Sequence, residues 1–92
     1  MDIQKILDAG NYHLIDVREP EELITDGAIE SAVNIPLGEL ETRKNEILNL
    51  DGDIIFFCRS GNRSEKATDF FKNEGLDHVF NGGSYETLSK LV

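Results

Sequence analysis

The sequence predicts an α/β fold built on a small, mostly parallel sheet. Short apolar stretches alternate with amphipathic ones along the chain, which is the pattern of strands alternating with helices. The stretch 54–57 is continuously apolar, as expected of a strand that is covered on both faces. Glycine or proline follows most of these stretches, and no linker, repeat or low-complexity segment interrupts them. We therefore expect one domain over residues 1–92, with four to five strands.

The chain begins with a predicted helix over residues 3–9. Asp2 can cap its N-terminus, and Gly10 is its stop. The next stretch, 14–17, is apolar apart from one aspartate and predicts a short buried strand. The order helix, glycine, strand fits an alternating α/β chain.

A second helix is predicted to begin within residues 18–23. Pro20 lies in its first turn, and acidic residues lie near the positive end of the helix dipole. Gly27 ends this helix. The stretch 32–35 is a second short strand, which Pro36 prevents from continuing.

The middle of the chain is predicted to contain a single turn at 37–40 and a polar helix at 42–49. Asp51 and Gly52 form a turn signal. The buried strand 54–57 follows that turn, and its uninterrupted apolar character places it inside the sheet.

The last third of the chain begins with an amphipathic helix at 65–74, which Gly75 ends. Its inward-facing residues are Ala67, Phe70 and Phe71, and its outward-facing residues are Lys66, Asp69 and Lys72. A last short strand is predicted at 78–80, a turn at 82–83 and a closing helix at 85–91.

Composition and charge exclude several classes of function. The net charge of -9 argues against nucleic acid or an anionic membrane as a partner. No apolar run approaches the ~20 residues that span a bilayer, and the chain does not start with a basic region followed by an apolar one, so we expect a cytoplasmic protein. One cysteine cannot form an internal disulfide or a multi-thiolate metal site. His13 and His78 lack ligand spacing, so no metal or cofactor is predicted.

The chain's only cysteine, Cys58, lies between the strand 54–57 and the helix 65–74. That order places the thiol at a helix N-terminus, where unpaired amides and the helix dipole favour negative charge. A cysteine in such a position tends to be a thiolate, which is the nucleophilic form. Ligands bind at the carboxyl ends of strands in sheets of this kind, which is where Cys58 falls. The sequence therefore predicts a reactive thiolate.

The loop after Cys58 has the composition of an anion-binding cradle. Gly61 can adopt a positive φ, which lets successive backbone amides turn inward. Arg59 and Arg63 add two permanent positive charges, and their planar guanidinium groups suit oxyanions. Ser60 can donate a hydrogen bond to the sulfur.

Each of these residues also has a structural interpretation. Free cysteine is often buried and inert. We expect Arg63 to contact the substrate anion from the start of the helix, but it can instead pair with Glu65 or Asp16. Ser64 can donate to the sulfur or cap the helix, and Asn62 tolerates left-handed backbone and suits the turn alone.

Four motifs in order resemble a single-domain rhodanese, a sulfurtransferase. They are Leu-Ile-Asp-Val-Arg-Glu-Pro-Glu-Glu at 14–22, Ala-Val-Asn-Ile-Pro-Leu at 32–37, the loop 58–64 and the glycine pair 82–83. The similarity runs from about residue 3 to residue 90. It implies a rhodanese-like three-layer α/β/α fold with a parallel sheet.

The resemblance also implies an activity. Cys58 would accept a sulfane sulfur from a small donor such as thiosulfate and carry it as a persulfide, held by the amides of residues 59–63. A thiol, cyanide or a protein acceptor would then remove the sulfur. For Asp16 and Arg18 the resemblance implies a supporting role, with structural hydrogen bonds and an ion pair of Arg18 with Glu22.

The sequence departs from the family pattern at a few positions. Ala28 stands where the family usually has histidine, and Ser31 where it usually has glycine. No tryptophan follows the glycine pair, and residues 1–2 leave no room for the usual first edge strand. These differences affect packing and the sheet edge, and therefore the strand count, more than the chemistry.

Loop length distinguishes this family from relatives of different activity. In dual-specificity phosphatases and related arsenate reductases, five residues separate the cysteine from the arginine. Only four residues lie between Cys58 and Arg63 here, so Ser64 occupies the position at which those enzymes have the arginine. Phosphate or arsenate needs a wider ring of amides than one terminal sulfur, so the shorter loop favours persulfide chemistry. The other alternative is a non-catalytic or redox-sensing module that uses the same loop to hold an anion or a partner's acidic tail.

Overall fold

The computed structural model of the protein describes residues 3–92. Within them four strands form one parallel sheet in the order β2-β1-β3-β4. The strands are β1 (Tyr12–Asp16), β2 (Val33–Asn34), β3 (Asp53–Cys58) and β4 (Val79–Ser84). The helices are α1 (Ile3–Ala9), α2 (Pro20–Asp26), α3 (Lys44–Leu48), α4 (Asn62–Asn73) and α5 (Tyr85–Ser89), with a single 3₁₀ turn at Leu37–Glu39. The predicted helices and strands are therefore all present, with shifted ends. The predicted cap Asp2 lies outside the described residues.

The sheet separates two hydrophobic cores, because successive side chains of β3 point to opposite faces. Ile54 and Phe56 pack on the face covered by α3 and α4, while Ile55 and Phe57 pack on the face covered by α1 and α5. All four side chains are fully buried. The prediction that this strand is covered on both sides is confirmed, and so is the three-layer arrangement.

Helix α4 is held against the sheet by aromatic packing. Phe71 stacks on Phe56 of β3 with the ring centroids 5.4 Å apart, and Phe70 meets Phe71 edge to face at 5.0 Å. Ala67 is also buried, as the amphipathic pattern predicts. The helix begins at Asn62, three residues before the predicted start, because Gly61 serves as its N-cap.

The predicted turn at 82–83 is wrong. Both glycines lie inside β4, which pairs with β3 as far as Ser84 and contains an irregularity opposite Phe56 and Phe57. A side chain at Gly82 would meet Ile55 at 2.6 Å, and Gly83 has a φ of +84°. Glycine is needed here because the strand runs close over the core and bulges, not because the chain reverses.

Among residues 3–92, none of the helices has the length and apolar character needed to span a bilayer.

Candidate active site

Cys58 is the last residue of β3, and α4 begins four residues later at Asn62. In the sheet, Cys58 is the register partner of Ser84, the last residue of β4. The thiol therefore lies at the carboxyl edge of the sheet, directly before the N-terminus of a helix, as the sequence predicts.

The backbone amide of Gly61 points at the sulfur. Its N–H donates to Sγ of Cys58 over 3.0 Å. Gly61 has a φ of +96°, in the left-handed region, and a Cβ at this position would lie 3.4 Å from Cα of Gly83 in β4. Both the backbone conformation and the close approach of the two segments favour glycine.

The pKa of the Cys58 thiol is lowered from its ordinary value, although the residue has 0% exposed area. Burial by itself raises this pKa, because it disfavours the charged thiolate. The nearby hydroxyl of Ser64 and the backbone amides of Ser64, Ser60 and Gly61 favour the thiolate and outweigh burial. The surroundings of the sulfur therefore favour the thiolate, which is its nucleophilic form.

Ser64 is buried in the first turn of α4, and its hydroxyl lies 3.5 Å from Sγ of Cys58. The same oxygen lies 3.1 Å from the carbonyl oxygen of Gly61 and 2.6 Å from Oδ1 of Asn81. The alternative in which Ser64 caps the helix is wrong, because the N-cap is Gly61. Ser64 is instead one of the groups around the sulfur.

Arg63 forms an ion pair with Glu22 of α2. Its Nη1 and Nη2 donate to the two carboxylate oxygens over 2.6 and 2.9 Å. The Arg63 guanidinium lowers the pKa of Glu22 to about 2, and the carboxylate raises the pKa of Arg63. The expected alternative partners, Glu65 and Asp16, are wrong. The pair fixes α2 against the start of α4 with a two-point contact.

Asp16 and Arg18 form a buried pair at the end of β1, and each is 1% exposed. Nη2 of Arg18 donates to Oδ2 of Asp16 over 2.7 Å and to the carbonyl oxygen of Gly27 over 2.9 Å. The hydrogen bond to Asp16 raises the pKa of Arg18. The expected pair of Arg18 with Glu22 is wrong, because Glu22 binds Arg63. Asp16 is the partner because it lies two residues away on the same strand end.

Arg59 is exposed, and its guanidinium makes no ion pair or hydrogen bond with the residues that the structure describes. It lines an open cavity of about 500 Å³ together with Arg18, Asp26, Tyr85 and Glu86. The Arg18 guanidinium lies 4.4 Å from the centre of the Tyr85 ring in the same wall. Arg59 is thus an exposed cation beside the loop, in a cavity whose lining also includes two carboxylates.

Ser60 and Asn62 are exposed at the loop and at the start of α4. Ser60 contributes its backbone amide to the environment of the sulfur. The suggestion that Asn62 uses left-handed backbone is wrong, since only glycines among residues 3–92 have a positive φ. Gly61 takes that conformation, and Asn62 is already helical.

Asn81 is a site residue that the sequence reasoning missed. Its Nδ2 donates to the carbonyl oxygen of Gly61 over 3.0 Å, and its Oδ1 accepts from the amide of Gly83 over 2.9 Å. Asn81 fell outside the predicted elements because the last strand was predicted to end at residue 80. A strand extended through the glycine pair would have placed this polar side chain at the same sheet edge as Cys58.

The two histidines lie away from Cys58. Nε2 of His13 is 2.7 Å from the carbonyl oxygen of Asp51, and Nδ1 of His78 is 3.4 Å from Asp77. Within residues 3–92 no group of three or more His, Cys, Asp or Glu side chains is placed to hold a metal ion.

Comparison with known proteins decides the family. The rhodanese-like domain matches residues 2–89. The chain belongs to the rhodanese-like family. It is 38% identical over 95 residues to the rhodanese domain-containing protein CG4456 of Drosophila melanogaster, covering 83% of this chain and 82% of that protein. It is 35% identical over 78 residues to a sulfurtransferase of Allochromatium vinosum, covering 85% of this chain and 71% of that protein.

Another relative is longer than this rhodanese-like chain. The Bacillus subtilis protein YrkF, whose name provisionally describes a sulfur carrier protein, is 42% identical over 78 residues. The alignment covers 85% of this chain but only 41% of YrkF. The chain thus spans less than half of that relative.

Solved structures confirm the rhodanese-like fold. The human single-domain sulfurtransferase TSTD1 superposes with a TM-score of 0.74 at 29% identity, covering 96% of this chain and 89% of that one. A rhodanese-related protein from Thermoplasma volcanium gives a TM-score of 0.73 at 37% identity, covering 91% and 82%. The small parallel sheet flanked by helices is therefore the family's architecture.

Proposed function

We propose that this rhodanese-like domain is a sulfurtransferase in which Cys58 carries the transferred sulfur. The observation that carries the proposal is the 3.0 Å hydrogen bond from the Gly61 amide to Sγ, at the N-terminus of α4. This hydrogen bond supports a Cys58 sulfur that is held as a thiolate, because the amide N–H and the positive end of the helix dipole stabilise negative charge. The family match and the sulfurtransferase names among its relatives favour the same activity.

With thiosulfate as donor, the Cys58 thiolate attacks the outer sulfur. A sulfur–sulfur bond forms on Cys58, the sulfur–sulfur bond of thiosulfate breaks, and sulfite leaves with the bonding electron pair. Cyanide or a thiolate then attacks the outer sulfur of the Cys58 persulfide. The products are thiocyanate or a new persulfide, and the Cys58 thiolate is regenerated. No net oxidation or reduction of the protein occurs over the cycle.

The loop residues have separate roles in this proposal. The amides of Ser60, Gly61 and Ser64 stabilise negative charge on the sulfur, as in an oxyanion hole. Arg59 attracts the anionic donor, since its guanidinium has no partner among residues 3–92. Arg63 keeps the start of α4 in place through Glu22, and does not need to touch the donor.

The loop over residues 59–61 must also let the donor reach a sulfur that has no exposed area. Arg59 and Ser60 are exposed, so this part of the loop can turn outward when a donor arrives. We expect this opening to precede attack. The Arg63–Glu22 pair stays closed during it, because both partners lie on helices outside the loop.

Thiocyanate formation from thiosulfate and cyanide tests the proposal. The wild-type protein is expected to produce thiocyanate, and Cys58→Ser to produce none above the uncatalysed rate. A Cys58→Ser variant that keeps the wild-type rate would show that the mechanism is wrong. Other donors, such as a thiol persulfide, are assayed in parallel, because the preferred donor is part of the proposal.

The burial of Cys58 favours a second candidate, a non-catalytic module that holds an anion or a partner's acidic tail. It disfavours the redox-sensing form of that candidate, because a sensing thiol must be accessible to the oxidant. Such a module binds sulfate in a calorimeter but transfers no sulfur from any donor. A phosphatase or arsenate reductase is disfavoured, because only four residues separate Cys58 from Arg63 and the amide ring is correspondingly narrow.

The proposal also includes a cellular location and the kind of molecule that donates or accepts the sulfur. A lone reduced thiol is typical of a reducing compartment, so we propose a cytoplasmic location. The provisional sulfur-carrier name of the relative YrkF suggests that a protein, as well as a small thiol, can act as donor or acceptor.

A further inference from the structure

Asn81 of β4 connects three parts of the site through its side-chain amide. Its Nδ2 donates to the carbonyl oxygen of Gly61 in the loop over 3.0 Å. Its Oδ1 accepts from the backbone N–H of Gly83 over 2.9 Å and from the hydroxyl of Ser64 over 2.6 Å. One side chain therefore links β4, the loop after Cys58 and the first turn of α4.

The two backbone partners fix the orientation of this amide. A carbonyl oxygen can only accept, so that of Gly61 faces the NH₂ group of Asn81. A backbone N–H can only donate, so that of Gly83 faces Oδ1. Oδ1 consequently also faces Ser64, whose hydroxyl must be the donor in that contact. At 2.6 Å this is the shortest of the three contacts open to the hydroxyl proton.

The hydrogen bonds of Gly61 bear directly on the sulfur. Its N–H donates to Sγ of Cys58 over 3.0 Å, while its carbonyl oxygen accepts from the backbone amide of Glu65 in α4 over 3.0 Å and from Nδ2 of Asn81 over 3.0 Å. Glycine has the most flexible backbone of any residue, so the anchor from β4 adds to the helix hydrogen bond in keeping this amide aimed at one atom. The neighbouring hydroxyl of Ser64 is farther from the sulfur, at 3.5 Å.

We propose that Asn81 is a positioning residue for the nucleophile, because it anchors Gly61 and Ser64 and thereby keeps the Gly61 amide on Sγ of Cys58. Removing Asn81 has two opposing effects. It frees the Ser64 proton for the sulfur, but it also loosens the Gly61 amide, which is then held only by the helix hydrogen bond from Glu65. The amide is the closer donor, so its loss dominates and the thiol becomes harder to ionise.

The charged groups around the thiol come from several elements, and the test must hold them constant. They are Arg59 in the loop, Arg63 and Glu65 on α4, Glu22 on α2, and the Asp16–Arg18 pair at and after the end of β1. β4 contributes none. Only Glu65 contacts Asn81, with Oε1 3.4 Å from Nδ2. The Asn81 variants are therefore also made in a Glu65→Gln background.

Ultraviolet titration of the Cys58 thiolate tests the proposal directly. For Asn81→Ala we expect the midpoint to rise by about one pH unit, which is about a tenfold loss of thiolate below the midpoint. Asn81→Asp keeps the acceptor for Ser64 and Gly83 but faces Gly61 with a negative oxygen, so the rise should be larger. Asn73→Ala, an exposed change at the far end of α4, is the matched control and should leave the midpoint unchanged.

A merely structural role predicts a different result. Asn81→Ala would then lower the midpoint of chemical unfolding but leave the thiol titration unchanged, which would overturn the proposal. If Asn81→Ala does not fold, the uncharged polar variant Asn81→Ser decides between the two results, because it adds no negative charge beside the thiol.

The proposal rests on the proposed function only in taking Cys58 as the reacting group, and their failures are distinguishable. A shifted titration in a protein that transfers no sulfur overturns the function alone. An unshifted titration with intact thiocyanate formation overturns the role of Asn81 alone.

Discussion

The sulfur of Cys58 accepts from the neutral amide of Gly61, and the hydroxyl of Ser64 lies 3.5 Å away with its proton directed at Asn81. The arginines that the sequence places on either side of the loop do not donate to it. Arg63 is paired with Glu22, and Arg59 faces solvent. At the residue scale, backbone amides therefore favour ionisation of the thiol, and we propose that the free arginine attracts the donor.

The first prediction concerns Gly61→Ala. The left-handed φ of +96° disfavours alanine, so the free energy of unfolding should fall by about 1–2 kcal/mol. The amide should also move off Sγ, and the thiol titration midpoint should rise. Gly75→Ala is the control, because Gly75 has a φ of +100° with nothing within 4 Å of its Cβ position. It should lose similar stability and keep the thiol midpoint. Equal titration curves for both variants would contradict the role of the Gly61 amide.

The second prediction is a pH dependence that arises from Glu22. Its pKa of about 2 in the folded protein lies below its usual 4.5, so its stabilising effect is complete above that usual value and is lost as the pH falls towards 2. Glu22→Gln should be less stable than wild type by about 1 kcal/mol at pH 6, and the difference should shrink towards pH 3. Urea unfolding at several pH values measures it. The control is the exposed neighbour Glu21→Gln, and a difference that grows on acidification would contradict the assignment.

At the element scale, the sequence predicts correctly those helices and strands whose apolar spacing depends only on residues close together in the chain. The run 54–57 and the faces of α4 follow directly from apolar spacing, and both are confirmed. The glycine pair in β4 was misassigned, because a glycine needed for close packing has the same signature as one needed for a turn. Because of this misassignment, Asn81, which lies just before that pair, was not predicted as a site residue.

The third prediction tests the packing of β4. A Cβ at Gly82 would lie 2.6 Å from Cγ2 of Ile55, so Gly82→Ala should lower the free energy of unfolding by about 1–3 kcal/mol. Gly38→Ala is the control, since nothing lies within 4 Å of its Cβ position and its φ is ordinary. Chemical denaturation compares the two. If Gly82→Ala is no less stable than Gly38→Ala, the glycine pair is not required by packing.

At the scale of the whole molecule, partners that are distant in sequence could not be predicted. Arg63 and Glu22 are 41 residues apart, and Asn81 and Gly61 are 20 apart, so only the assembled sheet brings them together. The position of Cys58 was predictable because it depends on strand order alone. The choice of ion-pair partners was not, because several carboxylates near the loop satisfy the same local pattern.

The fourth prediction is that the two cores unfold together, because they share the strands of one sheet. Leu88→Ala, in the core beneath α5, should lower the free energy of unfolding by about 2–5 kcal/mol in a single transition. Leu91→Ala is the control, since Leu91 is 43% exposed. Circular dichroism and tyrosine fluorescence should give the same midpoint. Two separate transitions would mean that the faces of the sheet are stabilised independently.

The most direct test of the central claim is the intact mass of the protein after exposure to thiosulfate at neutral pH. We expect a gain of about 32 Da, the mass of one sulfur atom, on wild type and none on Cys58→Ser. Cyanide should remove the added mass. A folded wild-type protein that gains no mass from thiosulfate or from a thiol persulfide, while its thiol still reacts with an alkylating agent, would contradict the claim that Cys58 carries sulfur.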